Sequence, residues 1–217
     1  MSDARSQILA TIRRSLNGGE PKTDQRIEEL RSRLRHTSPK VQPHLDDDPL
    51  SRFCIKHAAV HGTYERLAFE QIEEGVQRHL RSVGVDPQFC LGGGPLLDQV
   101  KWSDEVFPYR RSADKDTRVA VSEAFAGVSE TGTLVMRSAP SVPPSHNFLP
   151  DDHIVLLQKE RILRWQEDVW TLLRAENVFP PRAVNFVTGP SKTGDIEQTI
   201  QYGAHGPRRL HVLIIES

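Results

Sequence analysis

The chain has 217 residues, 28 of them basic and 29 acidic, for a formal net charge of −1. This length suits one α/β domain with an appendage, and the balanced charge argues against nucleic acid or an anionic membrane surface as a partner. No apolar run approaches the ~20 residues that span a bilayer, and Met1–Gln7 lacks the apolar core of a secretory signal, so a cytoplasmic protein is expected.

An N-terminal helix is expected within 1–17, with Ile8, Leu9, Ile12 and Leu16 on one side and Asn17-Gly18-Gly19 ending it. Residues 18–48 are highly charged, carry Pro21, Pro39 and Pro43, and show only Ile27, Leu30 and Leu34 as a hint of another helical turn. They read as a linker, as an arm that crosses the surface or reaches onto a second subunit of a homodimer, or as disordered chain. Asp48-Pro49 restarts regular structure as a cap and first helical residue, and 49–217 forms the main α/β domain.

Leu50, Phe53, Cys54 and His57 recur at helical spacing; His57 and His61 stand four apart, but no third ligand completes a metal site. Two cysteines, Cys54 and Cys90, cannot build a multi-cysteine cluster, so neither metal nor cofactor is expected. A strand over 64–68 leads to the best helical stripe, Phe69, Ile72, Val76, Leu80 and Val83, stopped by Gly84. Gln88–Leu91 is a strand, and Gly92-Gly93-Gly94-Pro95 after it lacks the spaced glycines of a dinucleotide loop and reads as a tight connection.

Trp102 and Phe107 are expected to anchor the polar stretch that follows. Arg118–Val121 is a strand, Ser122–Val128 a short helix of small residues, and Thr133–Met136 a strand. The proline-rich segment from Ser138 to Pro150 is loop, with His146-Asn147 a lid candidate. His153–Leu157 is a buried strand and Trp165–Glu176 a helix. Asn185–Val187 is a strand, and a helix beginning near Gly194 would bury Ile196, Ile200 and Tyr202 before Gly203; Leu210–Ile215 is the final strand. Strands and helices alternating this way predict a mostly parallel sheet covered by helices on both faces.

Two loops carry the chemistry. Glu130-Thr131-Gly132-Thr133 and Gly189-Pro190-Ser191-Lys192-Thr193, with Asp195 beyond, combine hydroxyls, a flexible glycine and one charge each. At one sheet edge, their hydroxyls and amides would cradle a small anion, Lys192 would compensate it, and Glu130 would act as base or bind a hydroxyl. The alternative is structural: the hydroxyls cap a helix, and Glu130 caps a neighbouring helix or pairs with Arg137. Lys192 precedes Gly194, so this is not a Walker loop. His205, placed after a helix C-terminus, is either a candidate catalytic acid or a cap for the last carbonyls.

Ser129–Val135, Leu149-Pro150 before His153, Thr188–Glu197 and Gly203–Val212, taken in that order, resemble the LUD-domain family, and within it the lactate-utilisation C branch. The resemblance covers most of 48–217. It implies a three-layer α/β/α fold like that of ribose-phosphate isomerases, glucosamine-phosphate deaminases and CoA transferases. It also implies a role in oxidising L-lactate to pyruvate beside iron–sulfur partner proteins. Other readings stay open: an independent enzyme on a sugar phosphate or acyl-CoA, or a non-catalytic assembly module.

Overall fold

The two most apolar strand runs, Asp152–Gln158 (β7) and Arg209–Glu216 (β12), lie side by side near the middle of the fold. The computed structural model describes residues 2–16, 20, 22–35, 42–193 and 201–216. With β1 (Thr63–Ala68), β2 (Gln88–Leu91), β3 (Phe107–Tyr109) and β4 (Val119–Glu123), these strands form a six-stranded sheet. Its order is β1-β12-β7-β4-β2-β3, with every neighbouring pair parallel.

Strands buried on both faces must be apolar at successive positions, and here the two sets diverge to two cores. Val119, Val121, Ile154, Leu156, Leu213 and Ile215 meet Ile72, Val76 and Leu80 of helix α4 (Ile72–Val83). Val155, Leu157, Leu210, Val212 and Ile214 meet Leu50, Phe53 and Cys54 of helix α3 (Pro49–Ala59) on the opposite face. α3 begins as its sequence dictates: Pro49 occupies the first turn and the Asp48 carboxylate accepts the Ser51 N–H at 2.9 Å. α4 stops at Gly84, whose φ of 66° is the left-handed value that glycine adopts without penalty.

α3 shares its layer with a second sheet of four strands, β8 (Ile162–Leu163), β5 (Ala126–Val128), β6 (Thr133–Arg137) and β9 (Val184–Val187), in that order. Helix α5 (Asp168–Ala175) covers it, burying Val169 and Leu173 against Ala126, Val128 and Val135. The architecture is α/β/α around a mostly parallel sheet.

Three expectations are corrected. Ser122–Val128 is not a helix: Ser122 and Glu123 end β4, and 126–128 form β5. The small residues serve close sheet packing, because a Cβ on Gly127 would lie 2.9 Å from Leu157 Cδ2. Phe107 is no anchor; it lies on the edge strand β3 and is 59% exposed, whereas Trp102 does pack edge-on to Phe89 at 5.1 Å. Finally, Gln201 and Tyr202 are strand, not helix, and Tyr202 is exposed.

The segment up to Gln42 is a unit of its own. It contains helix α1 (Ser2–Ser15), whose Ile8, Leu9 and Ile12 are exposed, and helix α2 (Asp24–Arg35), inside the stretch expected as a linker. The second unit begins at Pro43, several residues before the expected start. Trp165 Nε1–H donates to the Pro43 carbonyl at 3.0 Å, and the Arg164 guanidinium to the carbonyls of Leu45 and Asp47.

Candidate functional site

The two loops singled out by sequence meet, but through threonines rather than through Lys192. β6 pairs antiparallel with β9, placing Leu134 opposite Val187 and the residues just outside them side by side. The Thr133 hydroxyl therefore bonds both to Thr131 Oγ1 at 2.6 Å and to Thr188 Oγ1 at 2.7 Å. Gly132 and Gly189 take left-handed φ values of 69° and 78°, which suits glycine alone at no steric cost. The Gly132 carbonyl lies 3.2 Å from His57 Nδ1, and His57 stacks on Phe53, so that histidine serves the fold. The Glu130 carboxylate accepts the Gln166 N–H at 3.4 Å, in the turn just ahead of α5.

The rest of the signature stretch turns into a small ribbon, β10 (Lys192–Thr193) antiparallel to β11 (Gln201–Tyr202). Ser191 organises its base. The Ser191 N–H donates to the Pro207 carbonyl at 2.8 Å, its own carbonyl accepts the Gly203 N–H at 3.1 Å, and its hydroxyl accepts the His205 N–H at 3.3 Å. Lys192 is exposed, with Nζ 5.9 Å from the centre of the Tyr202 ring. His205 is exposed and follows the strand β11 rather than a helix C-terminus. Gly194, Asp195, Ile196 and Ile200 lie outside the described residues.

The ribbon borders a cleft of about 320 Å³ at the edge where β1 and β12 begin. Pro190, Arg208, Arg209 and His211 come to it from the signature stretches, Tyr202 from β11, and Arg78 and His79 from α4. His79 and His211 stack with ring centres 4.5 Å apart. Behind them Asp152, the first residue of β7, is fully buried. It receives Arg209 Nε at 2.5 Å and Nη2 at 2.6 Å, and His79 Nε2 lies 3.3 Å from it.

The charges are strongly coupled. Burial alone would raise the Asp152 carboxyl, but the two-pronged bond from Arg209, with His79, outweighs it and holds the carboxyl below the usual range. Burial, then the neighbouring His79, pushes His211 down to about 4, so its imidazole is neutral at pH 7. His211 Nδ1 pairs with the Thr63 hydroxyl at 2.8 Å, while Nε2 is buried with no hydrogen-bond partner, 3.6 Å from Glu65. Among the described lining residues are three guanidinium groups (Arg78, Arg208, Arg209), each with a carboxylate beside it: Arg78 is held by Glu65 at 2.7 Å and Glu74 at 2.8 Å, Arg208 lies 3.5 Å from Asp151, and Arg209 is held by Asp152. A guanidinium carries five N–H donors, so these pairs leave donors to spare for a small anion.

Sequence reasoning missed Arg78, His79, Asp152, Arg209 and His211. The signal existed in pattern: His79 falls beside Leu80 on the apolar stripe of α4, and His211 shares a face of β12 with Leu213. Nothing in one sequence joins two such singletons.

The LUD-domain family model matches residues 6–215. The lactate utilization protein C of Bacillus subtilis is 26% identical over 183 residues, covering 76% of each chain. That of Anoxybacillus flavithermus is 26% identical over 180 residues, 77% of this chain and 79% of the other. An uncharacterized protein of Neisseria meningitidis is 31% identical over 120 residues, and that match spans 51% of its length. A crystal structure of a DUF162 family protein from Deinococcus radiodurans has the same fold, with a TM-score of 0.58 at 15% identity over 80% of this chain and all of that one. The chain belongs to the LUD-domain family.

Proposed function

We propose that this protein serves lactate utilisation and holds a small anionic ligand in the cleft at the amino-terminal edge of its parallel sheet. The carrying observation is that residues from the family signature stretches, Pro190 and Arg208 to His211, converge with Arg78 and His79 on one arginine-lined cleft. The lactate setting comes from the relatives named lactate utilization protein C. Assembly with iron–sulfur partners is the finer reading, and it rests on the family resemblance. In this reading Arg208 and Lys192 steer the anion from the rim, while His211 Nε2 supplies a neutral polar contact at the floor.

A thermal-shift screen of lactate, pyruvate, inorganic phosphate and ribose 5-phosphate tests it on wild type, Arg208→Ala and Lys192→Ala. A ligand at 100 times its Kd adds about 2.7 kcal/mol, or roughly 5–11 °C for a chain of this size. Wild type should shift with at least one anion, and Arg208→Ala should shift less. If no anion moves the wild type, or both variants shift as it does, the cleft is not the anion site.

A further inference from the structure

The opposite, carboxyl-terminal edge of the same sheet carries a second pocket that neither signature loop reaches. Parallel sheets gather ligands at this edge, where strands give way to loops. Here β2 runs into Gly92-Gly93-Gly94, β4 ends on Glu123 and β7 ends on Gln158. Between the glycine run and the second sheet lies a cavity of about 110 Å³, lined by Gly93, Gly94, Glu123, Phe125, Arg137 and Arg161 among others. The ~300–1,000 Å³ of pockets that take drug-sized ligands is far larger, so this one admits a molecule of only a few heavy atoms.

Its charges are unusual in their arrangement. The Arg137 and Arg161 guanidinium groups sit over one ring, Phe125, at 5.6 Å and 5.2 Å from its centre. Arg161 is balanced by Glu176 at 2.7 Å and also donates to the Phe125 carbonyl at 3.1 Å. Arg137 has no ion pair among the described residues, and its Nε is buried with no hydrogen-bond acceptor. A buried donor without an acceptor costs about 1–3 kcal/mol, which a ligand oxygen would recover. Glu123 faces them from β4. One of its oxygens accepts the N–H groups of Leu96 at 2.8 Å and Leu97 at 3.2 Å, and the other has only Gln158 Nε2 at 3.3 Å. Gly94 is obligatory here, since a Cβ would lie 2.2 Å from Glu123 Oε2.

We propose that this pocket binds a small monocarboxylate, its carboxylate received by Arg137 and Arg161 and its other end set against Glu123. The size of the cavity limits the ligand, and the unpaired Arg137 sets its charge. Binding then takes up a proton. Burial already pushes the Glu123 carboxyl above the usual range, against the amide bonds and Arg161, and a second negative charge beside it raises it further. The other charges nearby are Glu176, paired with Arg161, and Asp98, which accepts the Gly94 N–H at 3.3 Å and is paired with Arg110. None of these is a histidine, so Glu123 carries the pH dependence. Affinity should rise as pH falls across the interval between the free and bound values of Glu123, by at most tenfold per pH unit.

The test is calorimetric titration of the full chain with propionate and with L-lactate at pH 5.5 and 7.5, in buffers of different ionisation enthalpy. Wild type should bind more tightly at pH 5.5 with proton uptake. Arg137→Gln should weaken binding at least tenfold, Arg137→Lys should restore part of it, and Glu123→Gln should bind without proton uptake. The wild-type arginine Nε–H resonances give a readout that needs no variant to fold: one of them should move on adding propionate. Binding lost in Arg208→Ala but kept in Arg137→Gln would assign the ligand to the amino-edge cleft and overturn this proposal while sparing that one. Absence of binding by either acid, or proton uptake unchanged in Glu123→Gln, would also overturn it.

Discussion

Asp152→Ala tests the electrostatic core of the amino-edge cleft. The carboxylate is wholly buried and takes two bonds from Arg209 and one from His79. Removing one partner of a buried charged pair costs about 3–5 kcal/mol when the other is left stranded. Here the Arg209 side chain is 44% exposed, so water takes over part of its charge and the cost must be discounted. His79, only 8% exposed, loses its partner outright. The expected loss is about 2–3 kcal/mol at pH 7, or roughly 4–12 °C in Tm.

Urea unfolding followed by fluorescence of Trp102, Trp165 and Trp170 measures it, with an unchanged m-value showing that two-state behaviour persists. The pH dependence has a definite sign. A carboxyl held below its unfolded value stabilises the fold above pH ~3.9, and that stability is lost as pH falls through the folded value. The gap between wild type and variant should therefore be constant from pH 5 to 7 and shrink below pH 4. A loss under about 0.5 kcal/mol, or a gap as wide at pH 3 as at pH 7, would refute the reasoning.

Gly132→Ala should cost about 1–2 kcal/mol from its left-handed φ alone, and more because the new Cβ would lie 2.3 Å from the His57 backbone nitrogen; wild-type urea stability would contradict this. His153 is fully buried and burial pushes it down to about 3. The unfolded chain then takes up a proton near pH 6.5 that the folded one refuses, so stability should fall by up to about 1.4 kcal/mol per pH unit below pH 6.5 from this residue. A His153→Gln variant should show a shallower decline between pH 6.5 and 4.5, and parallel curves would rule the assignment out. Leu156→Ala should lose about 2–5 kcal/mol through a cavity beneath α4, read as a drop in urea midpoint.

What the sequence made legible is what local physics controls. Asp152–Gln158 and Arg209–Glu216 are apolar on both faces and could only be central strands. α4 was legible from its stripe and from Gly84. Ser122–Val128 misled because small residues also suit a helix; their purpose, letting two sheets approach at Gly127, is a tertiary fact. The error hid Glu123, which as a strand-end carboxylate would have been a natural candidate. Lys192 and Thr131 were grouped by similar chemistry, yet the ribbon takes Lys192 to Tyr202 while Thr131 bonds Thr133. The pairing of His79 with His211 depends on where α4 lies across β12, which no local pattern records.

One strand reaches both proposed sites, and that geometry makes them separable. β7 starts with Asp152 behind the amino-edge cleft and ends with Gln158, whose amide donates to Glu123. Its seven residues span about 20 Å at ~3.3 Å per step. Substitutions so far apart, with no shared partner, add to within about 0.5 kcal/mol. Arg208→Ala and Arg137→Gln should therefore combine additively in stability, and each should weaken only the ligand at its own edge. A double variant that departs from additivity by more than 1 kcal/mol would mean that the sheet transmits strain between its edges. The densely packed core argues against this: Ile154 and Leu156 under α4, and Val155 and Leu157 under α3, are all fully buried and fix β7 from both faces.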